Sequence, residues 1–168
     1  MKKLLLSLAS FTIIAVSVAQ ETTVSSPNKT TFSIAGNVGS GTSDGYKLAA
    51  GGDVQVDIPV GSSLKLTASA GYENMAYELP NGTGGFWKGH SGYVPLLAGL
   101  KFALGKGFYG HGQAGYAMNT TDNPGSSDDG NFAWAPSVGY GFGKNLDLAV
   151  KYISFGPKAI VARLAYNF

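Results

Sequence analysis

Three side chains hold the ingredients of nucleophilic catalysis: His90, Ser91 and His111. A serine attacks only when a histidine takes its proton and a further group orients that ring, so the three must converge in space. His90 and Ser91 are sequence neighbours, and on an extended strand neighbours point to opposite faces. His111 belongs to another segment altogether. The stretch "GHGQAG" places Gly110, Gly112 and Gly115 at dinucleotide-fingerprint spacing, but the motif needs a helix to receive the pyrophosphate and no helical pattern follows. The acidic "SSDDGN" lacks the ligand spacing of a calcium loop, and two histidines on separate elements do not make a metal site. No catalytic residue, metal or cofactor is therefore expected, and the protein is read as a non-enzyme.

The remaining chemistry is charge, and its placement is ordered. Apolar and polar residues alternate through "TFSIAGNV", "LAAGGDVQVDI", "SLKLTASAGYE" and "GYVPLLAGLKFAL". The same phase runs on through "FYGHGQAGYAM", "FAWAPSVGYGF", "LDLAVKYIS" and "AIVARLAYNF". A period of two marks strands, and no segment shows a helical period. None of the even-numbered positions in these eight segments is Asp, Glu, Lys or Arg, although 13% of the chain is charged. The odd face holds Asp53, Asp57, Glu73 and Asp147 against Lys65, Lys101, Lys151 and Arg163. Four acids and four bases on one face suit a network of ion pairs.

Which face meets water decides the class. A soluble barrel would be polar outside and apolar inside, and its inward face could not hold eight charges without heavy desolvation cost. In a barrel of eight strands the interior is just wide enough for side chains to fill it, so small residues and paired charges suit the inside and the apolar face turns to lipid. The fold expected is all-β, an eight-stranded antiparallel up-and-down transmembrane β-barrel. A soluble sandwich burying its apolar face between two sheets is the alternative. The low charge share, against roughly 25% in soluble domains, and the 25 glycines agree with the membrane reading. A net charge of +2 gives no footprint for nucleic acid. Charges of both signs across the lumen are expected to pair and fill it, leaving no open channel.

The connections fit that topology. "PVGS", "GKG" and "GKN" are short turns for one end, whereas "GTSDGYK", the long "NMAYELPNGTGGFWKGHS", "NTTDNPGSSDDGN" and the link around "FGPK" belong to the other. Even-position aromatics fall into two girdles. Phe32, Phe102, Phe108, Tyr140, Phe142, Tyr166 and Phe168 lie near the short-turn rim, with Tyr72, Tyr116, Phe132, Trp134 and Tyr152 near the long-loop rim. Pro95 and Pro136 each delete a ladder donor, which predicts a bulge or an early strand end. Phe86, Trp87 and Lys88, among the glycines of the long second loop, are candidates for contact with a partner, with the membrane interface as the alternative.

The opening "MKKLLLSLASFTIIAVSVAQ" has the basic start, apolar run and small-residue end of a secretory signal peptide. The expected organisation is a signal peptide over 1–19, a short periplasmic segment over 20–29 and a barrel over 30–168. Without cysteine, the barrel has no disulfide to lean on.

On "VPLLAGLKFALGKGFYGHGQAGYA", "WAPSVGYGFGKNLDLAVKYISFG" and the terminal "RLAYNF", the chain resembles the small eight-stranded outer-membrane β-barrel proteins of Gram-negative bacteria, the OmpA-transmembrane and OmpX-like kind. The resemblance implies residence in the outer membrane among lipid and lipopolysaccharide. It also implies an assembly signal for the barrel-insertion machinery at Leu164, Tyr166 and Phe168. The family includes structural anchors, adhesins and a few lipid-modifying enzymes. The function expected is a non-enzymatic envelope component whose surface loops bind a partner, with a lipid A-modifying enzyme or a small pore as alternatives.

Overall fold

The computed structural model describes residues 29–82, 84–121, 130–143 and 145–168. The expected signal peptide over 1–19, the segment 20–28 and most of the acidic "SSDDGN" lie outside the described residues.

Eight strands follow one another: β1 (Thr31–Gly41), β2 (Tyr46–Pro59), β3 (Leu64–Pro80), β4 (Phe86–Gly105), β5 (Phe108–Asn119), β6 (Gly130–Phe142), β7 (Leu146–Ser154) and β8 (Lys158–Asn167). Each pairs antiparallel with the next, and β8 pairs antiparallel with β1 to close the barrel. Closure removes every open sheet edge within the ring, which is the condition for crossing lipid with strands.

The alternation in the sequence becomes the two faces of the wall. In β8 Ala159, Val161, Arg163 and Ala165 are buried while Ile160, Ala162, Leu164 and Tyr166 are exposed. The outer surface is a shell of Ile34, Val38, Val54, Leu66, Leu100, Val138, Leu148, Val150, Ile160 and Leu164, each more than two-fifths exposed. So much contiguous apolar surface is untenable in water and is what a bilayer covers. Rings cluster at its two margins. Phe108–Tyr140, Tyr140–Phe142 and Tyr166–Phe168 pack with centroids 4.8, 4.8 and 5.1 Å apart at the end bearing the three short turns, and Trp134–Tyr152 pack at 5.2 Å toward the other. We call these the turn end and the loop end.

Three expectations are corrected. The second of the four loop-end connections is not a long loop: Asn74 to Pro80 and Phe86 to Ser91 are strand, paired as Tyr77 with Gly89, Glu78 with Lys88 and Leu79 with Trp87, so a hairpin rises beyond the ring, and the Asn81 amide donates to the Gly85 carbonyl at 3.0 Å. Cross-strand contacts between residues eight to twelve apart override the local turn propensity of its glycines and asparagine.

The prolines cause neither a bulge nor an early stop. The β3–β4 ladder skips Gly71/Pro95 and Tyr72/Val94, and the β6–β7 ladder skips Ala135/Ile153 and Pro136/Tyr152, yet the register is the same on both sides of each gap. Pro95 keeps its pairing with Ala117 and Pro136 with Gly112, so each proline turns its missing donor to one neighbour and holds its place through the other. The register shifts fall elsewhere, between Tyr46 and Leu48 and between Ala103 and Gly105.

The large apolar residues are not all on the lipid face. Met75, Tyr93, Leu97, Ile153, Phe155 and Val161 form a lumenal core with Ala49, Ala117, Ala133, Ala135 and Ala159. All of these lie at odd positions, so they obey the phase. Periodicity assigns a face but no height, and this cluster occupies the loop-end half of the interior. Phe155, in the tight link after β7, folds inward to 1% exposure with its ring 6.1 Å from that of Tyr93.

Candidate functional site

Below the apolar core the lumen is ionic. Odd positions of five strands aim their side chains inward at matching heights because the registers align them. In the central layer Arg163 on β8 donates from Nη2 to Asp53 Oδ1 at 2.7 Å and from Nε to Oδ2 at 3.1 Å. Lys151 Nζ lies 4.0 Å from the same carboxylate. Asn37 reaches from β1 to donate to Glu73 Oε1 at 2.5 Å and to Asp53 Oδ2 at 3.2 Å. Nearer the turn end Lys101 bonds both Asp147, at 3.1 Å, and Asp57, at 3.4 Å. Its ammonium also sits 3.9 Å from the centroid of the Tyr109 ring, and Tyr109 donates its phenol to Asp147 at 2.5 Å. Arg163 Nη1, 3.9 Å from Asp147 Oδ1, connects the two layers.

Burial makes pairing compulsory here. Asp53, Asp57, Glu73, Asp147, Lys151 and Arg163 are all under 9% exposed, and a lone charge there would cost several kcal/mol. The structure therefore brings six of the eight expected charges into ion pairs, holds Glu73 through Asn37 with its Oε2 unpartnered among the described residues, and leaves Lys65 aside. Lys65 has no carboxylate within ion-pair distance among the described residues, and it faces Lys101 directly across the β3–β4 ladder.

Several members of the network are uncharged and were not anticipated: Asn37, Gln55, which donates to Asp57 at 2.6 Å, Tyr109, and the pair Gln113 and Ser69 at 2.8 Å. All share the odd phase that located the charges. Gly139 stands where any β-carbon would collide with the Tyr109 hydroxyl, so a missing side chain on β6 is what admits the phenol to the network.

The catalytic ingredients stay apart. Ser91 is buried in the wall and His90 is exposed on the other face. His111 pairs with Lys101, ten residues from Ser91 along β4, which is about 33 Å of strand. Its Nε2 is bound to Thr67 Oγ1 at 2.9 Å. The glycines of "GHGQAG" are structural: the Phe102 ring lies over Gly110, and Gly115 faces the Leu96 carbonyl.

Two further features lie at the ends. Beyond the loop-end aromatics, the β3–β4 hairpin carries Leu79, Phe86 and Trp87 at 44%, 61% and 69% exposure. Lys88 and Glu78 clamp it with a 2.9 Å pair, and the ammonium holds the Glu78 carboxyl below its usual range. Phe86, Trp87 and Lys88 thus stand on a paired strand, a more rigid mount than a free loop. At the turn end Leu164, Tyr166 and Phe168 all face outward, and the Phe168 amide donates to the Phe32 carbonyl at 2.8 Å.

No protein-family model matches the chain. No curated protein matches it in sequence either. Solved structures do match. Ail, the attachment invasion locus protein of Yersinia pestis, crystallised with the heparin analogue sucrose octasulfate, is 17% identical with a TM-score of 0.54, covering 83% of this chain and 97% of its own. The same protein in a phospholipid bilayer nanodisc is 13% identical with a TM-score of 0.56, over 84% and 99%. A de novo designed transmembrane β-barrel is 16% identical with a TM-score of 0.53, over 82% and 95%. At these identities the likeness is one of fold: the chain has the fold of the small OmpA/OmpX-like outer-membrane β-barrels.

Proposed function

We propose that the protein is a non-enzymatic component of the bacterial outer membrane, exported by its leader, inserted by the barrel-assembly machinery and surrounded by phospholipid and lipopolysaccharide. Its working surface is the β3–β4 hairpin, which engages a partner outside the cell. The observation that carries this reading is the exposure of Leu79, Phe86 and Trp87 on a strand-paired mount beyond the ring. Aromatic side chains held rigid lose little entropy on docking, and they dominate the energetics of recognition surfaces. A glycan, whose sugar faces stack on such rings, or a surface protein is the class of partner; the crystallised complex of Ail with a heparin analogue gives a sulfated sugar as a first probe.

The test is retention of cells displaying the protein on an array of neutral and sulfated glycans and on intact host-cell monolayers, with and without Phe86→Ser and Trp87→Ser. Loss of retention in the variants supports the hairpin as the contact; equal retention removes it. Lipid A acylation measured by mass spectrometry should be the same with and without the protein, and an altered pattern would restore the enzyme reading.

A further inference from the structure

We propose that the turn-end mouth of the lumen is a binding site for a phosphoryl group. The ion-pair accounting is uneven along the barrel axis. Lys101 is held by two carboxylates, Asp57 and Asp147, whereas Lys65 directly opposite has none among the described residues. Like charges facing each other across a ladder destabilise it, and the two carboxylates at this level both bind Lys101, leaving Lys65 uncompensated. A cavity of about 130 Å³ opens beside them, lined by Lys29, Lys65 and Lys101 together with Ser62, Ser63 and Tyr109.

The donors around that cavity match a tetrahedral dianion. Lys29 and Lys65 bring two positive charges without a carboxylate partner among the described residues, Ser62 and Ser63 bring two hydroxyls, and the turn backbone adds amides. The Val60 amide is taken by the Leu64 carbonyl, but those of Gly61 and Ser62 donate to no backbone acceptor in the described turn. Lysine binds phosphate as a mobile point charge, and free amides in a turn form an anion-binding concavity. A single carboxylate would neutralise only one of the two ammonium groups and leave hydroxyls idle. The cavity lies against the β2–β3 turn, and Lys101, which also lines it, is tied to Asp57 and Asp147. A ligand therefore enters from the turn end, either as a free phosphate compound or as the headgroup of an anionic lipid at that rim.

The full-length barrel, refolded in zwitterionic micelles, is titrated with inorganic phosphate and pyrophosphate at constant ionic strength, following the amides of Gly61 to Lys65 by NMR. In parallel it is placed in phosphatidylcholine nanodiscs with and without phosphatidylglycerol. Saturable shifts at those amides are expected, weakened about tenfold by Lys65→Gln and by Lys29→Gln and untouched by Lys106→Gln, a turn-end lysine outside the cavity. Saturation by the soluble anions identifies a free phosphate compound; shifts only with phosphatidylglycerol identify a lipid headgroup. Shifts that chloride reproduces, that fail to saturate, or that Lys106→Gln reduces as much as Lys65→Gln would overturn the site. Two independent variants keep the test decisive if one fails to fold.

Discussion

Arg163 on the closing strand holds Asp53 on β2 through two parallel hydrogen bonds, reaching past β1, which lies between them in the wall. A planar guanidinium meeting a carboxylate in this way is the geometry that repays the burial of both charges. Arg163→Met leaves Asp53 with only Lys151 and Asn37, and the expected loss of stability is about 3–5 kcal/mol. Arg163→Met combined with Asp53→Asn should recover at least half of it. Urea unfolding of refolded protein in a double-mutant cycle checks this, and additive losses would show that the two residues do not act as a pair.

Phe155 fills the loop-end interior although it belongs to a three-residue link. Phe155→Ala should cost about 3–5 kcal/mol through the cavity it opens among Tyr93 and its neighbours. Phe86→Ala, the same change at an exposed site on the hairpin, should stay within about 0.5 kcal/mol. Equal effects would mean that Phe155 does not pack inside.

An apolar core stacked on an ionic layer is expected to leave no continuous water path. Planar-bilayer recordings are expected to show no stable ohmic steps, and Met75→Ala or Phe155→Ala should not create large ones, because the Arg163 and Lys101 clusters still close the lumen beneath. Regular, large, single-size openings in the native protein would instead favour the pore.

The two tryptophans separate surface from membrane. Trp134 packs on Tyr152 in the lipid-facing wall, whereas Trp87 stands on the hairpin beyond the ring. With Trp87→Phe and Trp134→Phe as single-tryptophan proteins in liposomes, brominated lipid should quench Trp134 strongly and Trp87 weakly. Strong quenching of Trp87 would place the hairpin at the membrane interface and withdraw it as a recognition surface.

Removing Phe168 deletes an outward ring and the amide bonded to the Phe32 carbonyl. Deletion is expected to lower the amount inserted in cells several-fold while changing the unfolding midpoint of refolded barrel little, since one terminal hydrogen bond contributes about 1 kcal/mol. Normal surface levels of the truncated protein would refute the assembly role.

How far the molecule is legible in its sequence depends on what a period of two contains. It allots every residue of a strand to one of two faces, which is why Asp53, Lys101 and Arg163 could be assigned to the same side before their partners were known. It carries no information on height. The choice of Arg163 for Asp53, of Lys101 for Asp57 and Asp147, and the grouping of Met75, Leu97 and Phe155 apart from the charges all come from the registers of separate ladders. The hairpin was hidden for a related reason. "LPNGTGGFW" has turn-forming residues at its centre, and the extra strand on either side exists through pairs such as Leu79 with Trp87 that no local pattern encodes. Lys65 shows the limit most plainly: it has the type and phase of a network member, and only its register opposite Lys101 sets it apart.

Because strand order around the ring equals chain order, seven of the ladders are hairpins between consecutive strands and one alone, β1 with β8, joins distant parts of the chain. The entropy of bringing remote segments together is concentrated at that single seam. The Phe168 amide to the Phe32 carbonyl lies on the seam, and the Arg163–Asp53 grip spans it from β8 to β2. The ring can latch only after its last strand has arrived, so those contacts secure the one zipper that the hairpins cannot close by themselves.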